Sequence, residues 1–445
     1  METPIVDFVR RYSEKNTLRL HMPGHKGYGE LGFEKLDITE IKGADSLYEA
    51  DGIIADSERN ASELFGCDTY YSTEGSSQCI RAMVWLTVLH SKAQGKRPLI
   101  LAGRNAHRTF HSACALLDCD VEWLYGEDDS YLSCLISPLT LKKAISGMSE
   151  KPTAVYLTSP DYLGNMLDIR GISKVCHSYG IPLMVDNAHG AYLKFLPESL
   201  HPADLGADIC CDSAHKTLPC ITGGAYLHVT RSAPKLFSEQ ARAALSLFGS
   251  TSPSYLILQS LDLVNKYIED GYRERLADTV AKVDDIKEAL SAIGYAGIGN
   301  EPLKLSLQTS AYGYDGSKFA ELLRQKNIEP EFADPDVCVL MIAPENGEYG
   351  LISLFEALIS IPKRSVSSRT FPKPVRAERV ISMREASLSL CENVDVKHSL
   401  GRILALSTVA CPPAVPIVAS GERINIEAES AFEYYGIETV NVIKE

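Results

Sequence analysis

Between residues 50 and 260, short apolar runs alternate with longer segments whose apolar positions recur at helical spacing. PLILAG (98–103), DVEWLY (120–125), TAVYLT (153–158), PLMVDNA (182–188), ADICCDS (207–213) and GAYLHV (224–229) read as strands. DGIIADSERNASELFG (51–66), SSQCIRAMVWLTVLHSKAQ (76–94), HRTFHSACALL (107–117) and GISKVCHSYG (171–180) read as helices. Gly66 and Gly180 stand where a left-handed C-terminal stop is expected, a conformation glycine enters without a Cβ penalty. Short buried strands between helices imply an α/β fold around a mostly parallel mixed sheet covered on both faces.

The pattern changes at both ends. Residues 1–40 read as a short helix and then an irregular arm, because LHMPGHKGYGELGF carries Pro23, Gly24, Gly27, Gly29 and Gly32. A long helical stretch spans 261–294, followed by strand-like runs at 303–309 and 337–343 and a helix at 348–360, the pattern of a small α+β domain. Segment 361–378, rich in Pro, Ser and basic residues, reads as a linker, and 408–424 as a proline-rich turn in an apolar setting. The predicted organisation is an N-terminal arm (1–40), a large domain (41–290), a small α+β domain (291–365) and a C-terminal domain (366–445).

Composition narrows the class. A chain of 445 residues, 45% hydrophobic and 23% charged, buries a large core and is not disordered, collagen-like or a coiled coil. With 44 Lys and Arg against 58 Asp and Glu, the net charge of -14 disfavours nucleic acid and anionic membranes as partners. It would attract a cationic small molecule, although mild acidity also serves solubility alone. No run has the length of a signal peptide or of the roughly 20 apolar residues that span a membrane. The 12 cysteines form no CxxC pair and no zinc-type spacing, which predicts reduced thiols, a cytoplasmic location and no metal site.

Four stretches carry chemistry. In CDSAHKTLPCITGG (211–224) a strand ends at Asp212 and Ser213, and a loop then presents His215 and Lys216. A lysine there suits condensation with an aldehyde, because burial and cationic neighbours keep its amine partly neutral. An isolated lysine of this kind is more often a solvated loop residue. MVDNAHGAY (184–192) changes that weighting. Its Asp186 ends a buried strand, where a carboxylate is costly unless paired and where ligands of open α/β sheets bind. An aspartate 30 residues before a lysine at the next strand end suits pyridoxal 5'-phosphate. The aspartate would keep the pyridine nitrogen protonated while the lysine binds the aldehyde; alone, Asp186 is as well explained as a turn cap. STEGSSQC (72–79) opens a helix at Gly75, Ser76 and Ser77, whose N–H groups favour a phosphate, although Ser and Gly are ordinary caps too. Ser213 and His215 could close the other side of that phosphate. In RNAHRTFH (104–111), His107 begins a helix and either lies over a cofactor ring or caps the helix.

With these residues assembled, the sequence resembles the prokaryotic ornithine/lysine/arginine decarboxylases, fold type I pyridoxal-phosphate enzymes. The motifs run in order: LHMPGHKG (20–27), DITEIKGADSLYEADGII (37–54), RNAHRT, TSPDYLGN (158–165), DNAHGAY, SAHKTLP (213–219), FGSTSPSYLILQSLD (248–262) and CPPAVPIVASGERI (411–424). The length is similar to that of the shorter members, which lack an N-terminal receiver-like domain. The resemblance implies a transferase-like large domain that binds pyridoxal phosphate. It implies α-decarboxylation of arginine, lysine or ornithine to the di- or polyamine and carbon dioxide. It also implies a homodimer or higher homo-oligomer, because the family builds its site from two subunits. Residue by residue, Lys216 would bind the aldehyde, Asp186 the pyridine nitrogen, and His107 would stack on the ring. Ser213 and His215 would contact the phosphate with the amides of Gly75, Ser76 and Ser77. His189 would lie near the aldehyde and ring hydroxyl, and Thr222 would reach the neighbouring subunit's phosphate. His107, Lys216 or a neighbouring group would return the proton to Cα.

Three positions depart from the family pattern: Asn187 where glutamate is usual, Glu74 where a small hydroxyl residue is usual, and Asp161 where threonine is usual. Either Asp161 or Glu74 facing the cationic tail of the substrate would account for an added acid. Another fold type I enzyme, an aminotransferase or carbon–sulfur lyase, would share Lys216 and Asp186. An aminotransferase would also need a C-terminal arginine, for which Arg364, Arg369, Arg376, Arg379 and Arg384 are available. A non-catalytic homologue is the remaining alternative.

Overall fold

The computed structural model describes residues 1–126, 130–366, 372–407 and 413–444. They divide into two compact units that interleave along the chain: Met1–Gly95 with Cys176–Arg275, and Lys96–Val175 with Leu276–Glu445. In chain order the elements begin with α1 (Pro4–Glu14), α2 (Ile53–Phe65), β1 (Asp68–Ser72), α3 (Gly75–Ala93), β2 (Leu99–Gly103), α4 (Arg108–Leu117) and β3 (Asp120–Leu124). Next come α5 (Pro138–Gly147), β4 (Ala154–Thr158), α6 (Ile169–Ser178), β5 (Leu183–Asp186), α7 (Pro202–Leu205), β6 (Ile209–Asp212), α8 (Ala214–Thr217) and β7 (Ala225–Val229). They continue with α9 (Lys235–Ser246), α10 (Tyr255–Glu269), α11 (Tyr272–Ala292), β8 (Gly297–Ile298), β9 (Lys304–Leu307), α12 (Gly316–Arg324), β10 (Phe332–Ala333), β11 (Cys338–Met341) and α13 (Gly347–Ile359). The last are α14 (Met383–Ser387), β12 (Cys391–Asp395), β13 (Leu404–Leu406), α15 (Ile426–Tyr434) and β14 (Thr439–Ile443).

In the first unit β5 and β6 run parallel, while β6–β7 and β7–β1 are antiparallel. Every residue of β5, β6 and β7 is buried, which is why these strands read as unbroken apolar runs. Helix α2 ends on Gly66 at φ +74°, the left-handed stop expected from the sequence. Strand β1, DTYYS, was not anticipated; its register against β7 pairs Thr69 with His228 and Tyr71 with Tyr226. The helical stretch 261–294 is two helices, not one, because the chain turns at Gly271, which takes φ +70°. Helix α1 is tied down by Asp262 of α10, whose Oδ2 accepts from the N–H groups of Ile5 and Val6.

In the second unit β3, β2 and β4 are parallel neighbours. Two small antiparallel sheets follow, in the orders β10-β11-β9-β8 and β12-β14-β13. Phe432, Val440, Val442 and Leu404 sit in a core of their own under the last sheet. Among its described residues, 361–378 carries neither helix nor strand. Residues 408–412 of the proline-rich turn, and Arg369, lie outside the described residues.

Candidate active site

The register of β5 against β6 sets Asp186 opposite Cys211. Side chains alternate along a strand, so Asp186 and Cys211 share one face while Asn187 and Asp212 point to the other. Asp186 is buried; its Oδ1 accepts from the Ala188 N–H at 3.2 Å and the Cys211 thiol at 3.8 Å. After β6 the chain passes through Ser213 into α8, a single turn that leads back towards β5. Lys216 Nζ there lies 3.0 Å from His189 Nε2, so the lysine and the DNAHG histidine meet although 27 residues separate them.

The N-terminus of α3 stands beside this pair's loop. Gly75 takes φ +69° and its N–H donates to Gly223 O at 2.8 Å, which pins the helix start to the SAHKT…GG segment. The first-turn amides of a helix have no carbonyl one turn back, and they form its positive end. Ser213 Oγ donates to Ser76 Oγ at 2.9 Å. A Cβ on Gly75 would reach His215 Cε1 at 3.8 Å, so the histidine ring borders the same helix start. His215 Nδ1 pairs with Gly224 O at 2.9 Å, and burial holds its pKa below the ordinary value. Behind the helix start, buried Gln78 accepts from Ser72 Oγ and donates to Tyr48 Oη and Leu245 O. Two hydroxyls, the amides of a helix start, an amine paired with an imidazole and a strand-end carboxylate form a donor set suited to the phosphate, aldehyde and pyridine nitrogen of pyridoxal phosphate.

Gly75, Ser76, Ser77, Asp186, His189, Ser213, His215, Lys216 and Thr222 all belong to the first unit. Thr222 is exposed on the loop before β7. His107 belongs to the second unit, where its Nδ1 accepts from the Thr109 N–H at 3.2 Å and caps α4. Two of the departures, Glu74 and Asp161, differ in their surroundings. Glu74 is exposed and its Oε1 accepts from the Ser250 N–H at 2.9 Å, turning the acid towards the 248–254 loop. Asp161 is 2% exposed. Its Oδ1 accepts from the amides of Leu163 and Asn165, and its Oδ2 from Ser133 Oγ and Asn165 Nδ2. Of the arginines weighed for an aminotransferase, the four described ones are engaged within the second unit: Arg364 lies over Tyr314, Arg376 over Tyr125, and Arg379 and Arg384 donate to the carbonyls of Val121 and Leu116.

Sequence reasoning missed His201 and His228. Both are fully buried and both place Nε2 on Asp212 Oδ2, at 2.9 and 3.1 Å. The available signal was a histidine inside the apolar run GAYLHV, a costly place for a polar ring without a partner. Burial works to raise the Asp212 carboxyl, yet the two imidazoles pull it well below its ordinary value. Burial likewise opposes charging of His228, and Asp212 overcomes it, raising that pKa. The three side chains have the composition of a metal site. However, His201 Nδ1 accepts from the Ala203 N–H, which leaves the ring proton on Nε2, where an ion would need the lone pair.

Comparisons with known proteins identify the family. Residues 3–300 match the Orn/Lys/Arg decarboxylase major domain, and residues 367–440 match the family's C-terminal domain. An arginine decarboxylase of Bacillus subtilis (strain 168) is 27% identical, with 96% of this chain and 92% of the relative aligned. The uncharacterized protein YaaO of the same organism is 29% identical, over 96% of this chain and 93% of its own. The lysine decarboxylase LdcF of Francisella novicida superposes with a TM-score of 0.80 at 16% identity, covering 99% of this chain and 81% of that one, a likeness of fold. No helix among the described residues is long and apolar enough to cross a membrane. The chain belongs to the Orn/Lys/Arg decarboxylase family and is a fold type I, pyridoxal-phosphate-dependent decarboxylase of basic amino acids.

Proposed function

We propose that this enzyme removes the α-carboxylate of arginine, lysine or ornithine and releases the corresponding di- or polyamine. The observation that carries the reading is Lys216 Nζ at 3.0 Å from His189 Nε2, beside a helix start lined by Ser76 and Ser213. When bound, pyridoxal phosphate supplies a protonated aromatic ring that accepts the electron pair left by the departing carboxylate. Asp186 would hold the proton on the ring nitrogen, and its burial would make the charge interaction strong. Lys216 would hold the aldehyde. His189 takes and returns the proton on Lys216 Nζ, which lets that amine serve as the proton donor to Cα. Ser76, Ser77, Ser213, His215 and Gly75 would hold the phosphate.

Of the two added acids, Glu74 is the one we assign to the cationic tail of the substrate, because it is exposed at the helix start. Both Asp161 oxygens already accept two hydrogen bonds each inside their own loop.

We further infer a homodimer or higher homo-oligomer. The arm after α1 is turned inside out: Arg19 points inward and donates to the carbonyls of Glu34, Lys35 and Asp37. Leu20, Tyr28 and Leu31 point outward at 84%, 79% and 74% exposure. Apolar side chains in such a cluster mark a surface that another protein surface covers, and a second copy would also bring Thr222 to a neighbouring phosphate.

The test is a panel of arginine, lysine and ornithine with carbon dioxide and amine detection. Release of carbon dioxide with the matching amine, lost in Lys216→Ala, supports the reading. Formation of a keto acid without carbon dioxide refutes it.

A further inference from the structure

Two residues next to the cofactor-holding groups meet on the far face of the sheet. Asn187 directly follows Asp186, and Asp212 directly precedes Ser213 and stands four residues before Lys216. Asn187 Nδ2 donates to Asp212 Oδ1 at 2.6 Å. Backbone bonds beside it join the same two segments in both directions, Asn187 N–H to Cys211 O at 3.0 Å and Ser213 N–H to Ala188 O at 3.3 Å, carrying the β5–β6 ladder past the strand ends.

The pair is braced from behind. Asp212 Oδ2 accepts from His201 before α7 and from His228 on β7, and His228 Nδ1 reaches Thr69 Oγ1 on β1 at 3.0 Å. Asn187, Asp212, His201 and His228 are all fully buried. Phe65 packs its ring 4.5 Å from that of His228, closing the group off from water. The space for Asn187 is built in as well: a Cβ on Gly190 would collide with Asn187 Oδ1, so the glycine of DNAHG makes room for the asparagine. A carboxylate buried so completely is tolerable because two imidazoles and an amide occupy its lone pairs.

We propose that the Asn187–Asp212 hydrogen bond, held by His201 and His228, is a positioning clasp that sets the span between Asp186 and Lys216. The proposal rests on the reading of those two residues as the cofactor's holders. Neither clasp residue touches the cofactor face, since side chains one step along a strand point to the opposite side. They act through the backbone. Asp186 and Ser213 are each one peptide from the clasp, so a shift in it moves the ring-nitrogen partner against the aldehyde-binding lysine, and displacements near 1 Å are enough to weaken such a site. The clasp also gives the Asn187 departure a reason. A glutamate there would face the Asp212 carboxylate; an amide donates to it.

The decisive variants are Asn187→Asp and Asn187→Asp with Asp212→Asn. The first sets two carboxylates against each other, and the second restores one donor and one acceptor in reverse. Three quantities are measured on each: the dissociation constant for pyridoxal phosphate added to the apoenzyme, the pH midpoint of the visible absorbance of the loaded enzyme, and the melting temperature of the apoenzyme. The clasp predicts that Asn187→Asp weakens cofactor binding about tenfold or more and moves the absorbance midpoint, and that the double variant returns both towards the parent, the signature of a coupled pair. Asn187→Ala, which adds no charge and keeps the fold accessible, is expected to weaken binding and move the midpoint in the same direction. A fall in apoenzyme melting temperature with parent-like affinity and midpoint in Asn187→Asp and Asn187→Ala would mean a purely structural pair and overturns the proposal. So does a double variant no better than the single one. Lys216→Ala separates this from the reading beneath it. If Lys216→Ala loses the visible band while the Asn187 variants bind like the parent, the clasp fails and the site assignment stands.

Discussion

Replacing Asp161 with alanine distinguishes a loop-building acid from a substrate-binding one. The carboxylate accepts four hydrogen bonds, at 2.8–2.9 Å, from Leu163 N–H, Asn165 N–H, Asn165 Nδ2 and Ser133 Oγ. Asn165 Nδ2 also donates to Ser133 Oγ, so these two side chains retain each other when Asp161 is lost. The amides of Leu163 and Asn165 do not, and a stranded buried donor costs about 1–3 kcal/mol each. Part of that is returned, because burial raises the Asp161 pKa and its removal relieves a strained charge. A net loss of about 3 kcal/mol is expected from these opposing terms. In a unit of about 250 residues, spanning Lys96–Val175 and Leu276–Glu445, that lowers the melting temperature by roughly 6–12 °C. The assay is a thermal melt of parent and Asp161→Ala beside the KM for arginine, lysine and ornithine, with Glu74→Ser as the contrasting variant. Asp161→Ala should lose stability with little selectivity among substrates, whereas Glu74→Ser should raise KM for the basic substrates and melt like the parent. A variant Asp161→Ala that melts within a degree of the parent yet loses its affinity for one basic amino acid would refute the hydrogen-bond reasoning.

Asp186→Ala should lower the decarboxylation rate by orders of magnitude while retaining measurable cofactor, since Lys216 and the helix start remain; near-parental turnover would remove Asp186 from its role. Asp262 gives a pH signature. Burial pushes its carboxyl from 3.8 up to about 6 against the pull of Ser57 and the α1 amides, so the folded chain binds that proton more tightly than the unfolded one. Its stability contribution is therefore complete below about pH 4 and lost as pH rises through 6, a swing near 3 kcal/mol by linkage. Denaturation of parent and Asp262→Asn from pH 4 to 7 should differ by that slope, and parallel curves would contradict it. Leu20→Asp combined with Leu31→Asp should shift the protein to a smaller species in light scattering, and an unchanged mass would show that the arm is not the interface.

The elements that carry the site were legible where the signal was local. Gly66 and Gly180 ended helices as their sequence positions implied, because a left-handed stop needs only the missing Cβ. Asp186 and Lys216 stood out because a carboxylate at the end of an apolar strand and an amine after the next one need a reason within a few residues. The turn at Gly271 was missed, because helix-forming residues stand on both sides of its DG step. Strand β1 was harder: DTYYS has no long apolar run, and its pairing with β7 depends on residues more than 150 positions away.

The role of the added acids could not be read from the chain. Glu74 and Asp161 look alike as single departures, yet one is turned out to Ser250 and the other is locked inside four hydrogen bonds. The same holds for Asn187, Asp212, His201 and His228. They are adjacent only because β5, β6, β7 and β1 lie side by side, and sheet register, not sequence spacing, decides which of them share a face. The sequence by itself determined the alternation of elements, the chemistry of the strand ends and hence the cofactor class, all properties of short stretches. Only the tertiary structure decided which buried charge answers which, because an unpaired charge is intolerable in the core and its partner is supplied by a different strand.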